Sequence, residues 1–424
     1  MSVTRRFCQA IADDTPRSPI ATRLATRVMP FLLAFALAAF TVPLARGQTY
    51  NVLYNFSDGI YGLGQSALVI DRTGNLYGTT GAGGNHGGDC REEGCGTVYE
   101  LSHKSSGWVF STLYSFHGDD GKNPYGVTIG PDGILYGAAS GVTFSLRPPA
   151  TACRTTSCDW IESILDTGGL YSVLTLDQSG NIYGTGGGGA YGQGAVYELA
   201  KMHGVWTQNV LYSFTGTPDG SGPSYDGVIF DQAGNIYSTT YAGGSDGRGT
   251  VFELQRVGDG WTEKILHSFQ EYPDGEVPEA GLTMDAAGNL YGAPVVNSHV
   301  FMLVPSSDGN WTFTLLYNLT SQGNILGPFS RLAVDADGSL YGTILPWGCR
   351  SDSCQAGFGV GPSGTVFQLT PGSGGWTYTS LHDFSGGWDG GTPTSVTLGP
   401  DGNLYGIAQS GGADGLGVIF EISR

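Results

Sequence analysis

Three cysteine pairs and four Asp-Gly corners are the residues of this sequence with the most evident chemistry. Cys90/Cys95, Cys153/Cys158 and Cys349/Cys354 each read C-R-x-x-[GS]-C. The shared separation predicts three local disulfides, each stabilising by about 2 kcal/mol because the closed loop is short. Zinc would need two close pairs to converge, and no C-x-x-C or paired-histidine spacing accompanies them. The corners are Asp120-Gly-Lys-Asn-Pro124, Asp219-Gly-Ser-Gly-Pro223, Asp274-Gly-Glu-Val-Pro278 and Asp389-Gly-Gly-Thr-Pro393, with Asp58-Gly59 beginning the same way. Hard carboxylate oxygens gathered round a channel entrance could hold calcium. Each is equally well explained by its own turn, where Asp accepts backbone N–H groups and Gly supplies positive φ. No cofactor and no metal site is therefore assigned, with calcium the one ion these groups suit.

Aromatic residues that break the pattern of the chain are the other candidates. Trp347 and Trp388 are the two tryptophans off that pattern, and Tyr125, Tyr191, Tyr225 and Tyr241 fall in loops. Exposed rings beside Asp and Asn grip sugar rings by stacking plus directed hydrogen bonds. The ligand-binding candidates are thus Trp347, Trp388, Tyr125, Tyr225, Tyr241, His86, Asp120, Asp219, Asp274 and Asp389. No catalytic residue is assigned: H-E-x-x-H is missing, no dinucleotide fingerprint stands in a strand-to-helix context, and the Gly186 to Gly189 stretch lacks the following helix that phosphate binding needs.

The elements that must position these residues follow from an internal repeat. Asp71-Arg-Thr-Gly-Asn-Leu-Tyr-Gly78 recurs with its Tyr at 77, 136, 183, 237, 291, 341 and 405, a mean period of about 55 residues. Each period holds four strand-like runs separated by turn residues, as in 227–231, 235–240, 249–254 and 261–269. The third run carries a core aromatic, Tyr99, Phe144, Tyr197, Phe252, Phe301, Phe367 or Phe420. The fourth opens with Trp108, Trp160, Trp206, Trp261, Trp311 or Trp376, large enough to pack one sheet on the next. The last repeat stops after its third run, and Tyr50-Asn-Val-Leu-Tyr-Asn-Phe56 supplies the missing fourth. An all-β, seven-bladed β-propeller is expected over 48–424, with four-stranded antiparallel blades and the N-terminal strand completing the last blade. The Asp-Gly corners, between the fourth run and the next blade, are expected around the channel entrance. Glu100, Glu198, Glu253 and Glu421, at a position that also takes Ser, Met and Gln, are structural, as are His267 and His382.

Composition agrees. Glycine is 71 of 424 residues, far above the usual ~7%, while 40% hydrophobic and 12% aromatic content can build a core, which excludes disorder and collagen. Residues 1–47 differ from the rest: arginines precede the apolar run 31–40, and Ala45 and Gly47 suit cleavage before Gln48, as in a secretory signal peptide. Removing that leader leaves 13 basic and 35 acidic residues, a net charge of −22. Nucleic acid and anionic membrane are poor partners for such a chain. A periplasmic, cell-surface or secreted monomer without membrane insertion is expected.

The D-x-x-G-N-L-Y-G-T-T, G-T-V-F-E-L, G-W and L-Y-S-F segments resemble the Gloeo/Verruco tandem repeat family of exported bacterial proteins, from about residue 50 to the end, with similarity also to NHL-type propellers. The resemblance implies an exported repeat protein and carries over no catalytic residue. Two functions compete: a non-catalytic module binding a glycan, peptide or surface protein on its loop-rich face, and a cation-dependent hydrolase, lactonase or lyase at the channel mouth.

Overall fold

The computed structural model describes residues 48–57, 67–87, 89–90, 93–149, 160–270, 272–322, 325–346 and 363–424. The chain divides into two units, Met1–Ala45 and Arg46–Arg424. The expected leader lies outside the described residues, as do Trp347, Asp58 and the cysteines Cys153, Cys158, Cys349 and Cys354.

The second unit is a seven-bladed propeller of antiparallel sheets. Blade 1 is typical: Val69–Ile70, Leu76–Thr80, Thr97–Lys104 and Gly107–Ser115 pair in sequence order from the axis outward. In blades 4 and 6 the innermost edge is shared by two short segments, Gly220–Pro223 with Ile229–Phe230 and Ile325–Leu326 with Ala333–Val334. Blade 7 takes three strands from the C-terminus and its outermost strand, Thr49–Asn55, from the N-terminus. That strand pairs antiparallel with Val418–Ser423, from Thr49↔Ser423 to Asn55↔Val418. The two chain ends thereby close the ring.

Local sequence explains the blade. In six of the seven blades the second strand carries a Gly directly opposite the third-strand aromatic, as in Gly292↔Phe301 and Gly342↔Phe367. A Cβ at Gly292 would lie 2.6 Å from Phe301 Cζ, so the ring is laid across a bare backbone. Ser238 stands there in blade 4 and turns its hydroxyl to the Gly227 carbonyl, 2.6 Å. The leucine of each L-Y-S-F segment is a β-bulge residue: the third-to-fourth pairing slips once per blade, at Leu53, Leu113, Leu165, Leu211, Leu266, Leu316 and Leu381. The extra residue bends the outer strand and raises its twist. Just beyond, the Phe N–H returns to the Gly that opens the third strand, for example Phe214 to Gly194 (3.0 Å) and Phe56 to Gly417 (3.0 Å). Both glycines have positive φ, +92° and +100°.

Blades hold one another through apolar clusters, one at each of the seven junctions, including blade 7 to blade 1 through Tyr405, Ile407, Ile419, Leu76 and Tyr99. The fourth-strand tryptophans reach back to the second-strand tyrosine of the preceding blade, as in Trp160–Tyr77 (6.5 Å) and Trp311–Tyr237 (5.7 Å). Hydroxyls add polar stitches: Thr175 donates to Val228 O (2.6 Å) and Thr397 to Leu68 O (2.7 Å) in the next blade.

Candidate functional site

The Asp-x-x-Gly-Asn turns are closed by their own residues. Asp231 Oδ1 accepts the Ala233 and Asn235 N–H groups at 2.9 and 2.8 Å, while Oδ2 accepts Asn235 Nδ2 and the Tyr237 hydroxyl at 2.8 and 3.1 Å. The single Tyr237 hydroxyl proton is shared between Asp231 and Glu253, which lies 2.8 Å away, and that of Tyr183 between Asp177 and Glu198 (2.7 Å), so the repeating Glu anchors the repeating Tyr. Burial works to raise the Asp71 carboxyl, yet hydrogen bonds from Thr73 and Asn75 together outweigh it and hold the group below the usual carboxylate range.

The Asp-Gly corners are tied to the strands that precede them. Their carboxylates bond to the outermost strand: Asp120 to the Tyr114 hydroxyl (2.6 Å), Asp219 to Tyr212 (3.1 Å), Asp274 to His267 (2.9 Å) and Asp389 to His382 (3.1 Å). The corner follows the fourth strand immediately, and in blades 4 and 7 it leads straight into the innermost edge, Gly220–Pro223 and Gly391–Leu398. The carboxylates therefore tie each corner to the outermost strand of the blade before it, and they also cap turns, as with Thr215 N–H to Asp219 (2.9 Å). Among the described residues no group of three or more His, Cys, Asp or Glu is placed to hold a metal. His267 and His382 stack on Phe313 (3.6 Å) and Tyr50 (3.7 Å), and burial lowers both imidazoles against the opposing aspartates.

In blades 2 and 4 an acid replaces the ring that receives this stacking. Phe110, Phe313, Tyr378 and Tyr50 occupy that outer-strand position in blades 1, 5, 6 and 7, and Gln208 in blade 3; Glu162 and Glu263 occupy it beside Tyr114 and Tyr212. Glu162 Oε1, Glu263 Oε1 and Asp219 Oδ1 are buried without a hydrogen-bond partner. Burial, then the neighbouring Asp120 or Asp219, raises each glutamate to about 7.

Of the predicted disulfides, Cys90–Cys95 is formed, with Cα atoms 4.9 Å apart, and both cysteines are buried in the junction between blades 1 and 2. It pins the loop between second and third strands, leaving His86 exposed on that loop. Trp388 is 71% exposed and lies edge-on to Tyr50 (6.4 Å) at the junction of blades 6 and 7, whereas the candidate tyrosines belong to blades 2 to 4. Tyr191, also exposed, lies beside Tyr212 toward the rim.

Tyr125 and Tyr225 do come together. Their rings are nearly parallel, 9° apart with centroids at 6.4 Å, although they enter blades 2 and 4. Tyr171, entering blade 3 between them, stands at 78° to Tyr125 with centroids at 6.1 Å. Contact over an intervening blade is possible only close to the axis. Each tyrosine precedes the innermost strand and is fixed by main-chain bonds: Tyr125 N–H to Ala138 O (2.9 Å), Tyr171 N–H to Thr185 O (3.0 Å), and Tyr225 O from Val173 N–H (2.8 Å). Tyr241 lies over Gly222, where a Cβ would meet its Cζ at 2.5 Å. Tyr225 and Tyr241 are 54% and 40% exposed, so each ring keeps part of its surface open to solvent. Burial, then Tyr241, Glu279 and Tyr125, raise the Tyr225 hydroxyl above its ordinary value and keep it protonated.

Next to these rings a hydrogen-bonded bridge joins blades 4 and 6. Arg331, entering blade 6, donates its main-chain N–H to Asp226 Oδ2 (2.7 Å) and its guanidinium to Asp226 O, entering blade 4. The bridge passes over Gly281 of blade 5, whose missing Cβ would lie 2.8 Å from Asp226 Cβ. Tyr171, Asp226, Arg331 and Glu279 were not among the sequence candidates. Arg331 carried a signal, because Ala67, Gly126, Val173, Gly227, Gly281 and Ser395 fill its place in the other repeats.

Among solved structures, a protein from Lactobacillus plantarum superposes with a TM-score of 0.54 at 14% identity, covering 79% of this chain and 89% of that one. The extracellular domain of a B. thetaiotaomicron protein described as a one-component system gives 0.54 at 10% identity over 89% of this chain. The matched part is 40% of that B. thetaiotaomicron chain. At such identities the likeness carries fold alone. No curated protein matches the sequence. A family model described as the Gloeobacter/Verrucomicrobia repeat matches residues 138–354.

Proposed function

The chain belongs to the Gloeobacter/Verrucomicrobia repeat family, and we propose that it is an exported, non-catalytic module that binds a glycan on the tyrosine-lined centre of its ring. The observation that carries this reading is the gathering of Tyr125, Tyr171 and Tyr225 from three successive blades at the axis, beside the exposed face of Tyr241. Flat ring faces held by main-chain bonds lose little freedom on binding, and sugar C–H faces stack on them while hydroxyls take directed hydrogen bonds. The absence of catalysis is argued from the carboxylates. The acid nearest the rings, Asp226, is bonded to Arg331, and Asp120, Asp219, Asp274 and Asp389 each bond a fourth-strand side chain, which leaves Glu162 and Glu263 as acids of the outer strands rather than of the tyrosine cluster. Export rests on the arginine-rich apolar leader and on a disulfide of the kind oxidising compartments maintain. A glycan array probed with the purified protein tests the reading. Oligosaccharide signals that vanish in Tyr225→Ala support it; a blank array from folded protein overturns it and leaves a peptide or surface protein as the ligand to seek.

A further inference from the structure

The corner aspartates are not equivalent in charge. Asp120, Asp274 and Asp389 each stand beside an imidazole, His117 (3.1 Å), His267 (2.9 Å) and His382 (3.1 Å). Asp219, between blades 3 and 4, does not. Its Oδ2 accepts the Tyr212 hydroxyl at 3.1 Å and the Thr215 N–H and hydroxyl at 2.9 and 3.0 Å, all neutral donors. Its Oδ1 has no hydrogen-bond partner, although the residue is only 8% exposed.

The neighbour across the junction is a second acid. Phe313 of blade 5 lies on the His267 ring of blade 4 with centroids 3.6 Å apart, and Glu263 of blade 4 holds the matching register position beside Tyr212 of blade 3. Glu263 Oε1 is likewise buried and unpartnered, and the Asp219 charge acts on this carboxyl. Lys264, the next residue, gives its ammonium to the Gly309 carbonyl instead. Among the described residues no Lys, Arg or His is paired with Asp219 or Glu263. Two acids thus meet at one phenol with an orphaned oxygen each and no counter-charge. Buried charges are stable when they are paired or hold a metal.

We infer that Asp219 and Glu263 hold a calcium ion between blades 3 and 4, with Asp219 Oδ1 and Glu263 Oε1 as its protein ligands. The ion supplies at this corner the positive charge that imidazoles supply at the other three. Carboxylate oxygens without nitrogen or sulfur suit a hard cation. Two acids are fewer than a full protein cage, so water completes the shell and the site is weak, with a dissociation constant on the order of 0.1–1 mM. The ion joins the corner of one blade to the outermost strand of the next. It is separate from the tyrosine cluster and independent of the glycan reading.

The test is calorimetric titration of calcium into the chelator-treated parent, Glu263→Gln and Glu162→Gln, at mildly alkaline pH in physiological salt, with thermal melts alongside. The parent should bind one ion, and about 10 mM calcium should raise its Tm by about 2–3 °C. Glu263→Gln should lose both the ion and the shift. Glu162→Gln, at the corner that has His117, should keep both. No saturable binding to the parent overturns the inference and leaves a proton shared by the two carboxyls. Binding undiminished in Glu263→Gln is attraction to an acidic surface and also overturns it. Terbium excited through the tyrosines of the parent should give emission that calcium abolishes, a readout that stands even if Glu263→Gln does not fold. Terbium emission that calcium leaves unchanged overturns the site.

Discussion

Replacing Phe56 by Ala tests the closure of the ring. Phe56 ends the N-terminal strand of blade 7, is 1% exposed, and packs edge-on against Tyr99 of blade 1 at 5.8 Å. Phe214 occupies the same place between blades 3 and 4, fully buried against Phe252 at 5.0 Å, with the matching N–H to a third-strand glycine. A buried Phe→Ala change costs about 3–5 kcal/mol in lost transfer energy and cavity formation. A unit of ~380 residues unfolds with an entropy of roughly 0.8 kcal/mol/K, so that loss lowers Tm by about 4–6 °C. If the strand is an integral part of blade 7, Phe56→Ala and Phe214→Ala should lower Tm by similar amounts in scanning calorimetry. Should Phe214→Ala show the full drop while Phe56→Ala stays within about 1 °C of the parent, the closure argument is wrong.

Gly342→Ala is expected to destabilise by about 1–3 kcal/mol in urea melts, because the added Cβ would stand 2.8 Å from Phe367 Cζ and 2.6 Å from Leu332 Cδ2. Cys90→Ser should cost about 2 kcal/mol, and a reductant should take about 2 kcal/mol less from the variant than from the parent. Glu162 and Glu263 sit near 7 in the folded chain against 4.5 for a free glutamate. The stability they confer is therefore complete below about 4.5 and lost as pH rises through about 7. The double change Glu162→Gln with Glu263→Gln should flatten that part of the pH–stability curve and gain on the order of 1 kcal/mol at pH 8, after discounting for solvent screening at these half-buried groups. An unchanged slope between pH 5 and 8 would show that the two carboxyls titrate normally.

Much of the fold was legible because each blade repeats its own instructions. The tyrosine spacing fixed the blade count, the incomplete last repeat showed where Thr49–Asn55 must pair, and the aromatic opposite a glycine marked the second and third strands. Position along a repeat does not by itself say how far a side chain stands from the axis. The Asp-Gly corners are an example: each runs from the outermost strand toward the next blade, and its carboxylate binds back to Tyr114, Tyr212, His267 or His382, partners that the sequence pattern alone does not name. Tyr125 and Tyr225 were singled out individually, while their meeting over Tyr171 and the Asp226–Arg331 bridge over Gly281 join blades that are not neighbours. Comparing the residues just before each innermost strand, where Arg331 stands among small residues, was the available sequence signal.

The most direct test of the central claim is a titration of the parent protein, Tyr171→Ala and Tyr225→Ala with the oligosaccharide giving the strongest array signal. A ligand seated on the axial rings predicts about a tenfold or greater loss of affinity in each variant, as stacking of about 1.5 kcal/mol per ring implies, with melting temperatures held. Affinities equal to the parent's in both variants would place the ligand elsewhere and contradict the account.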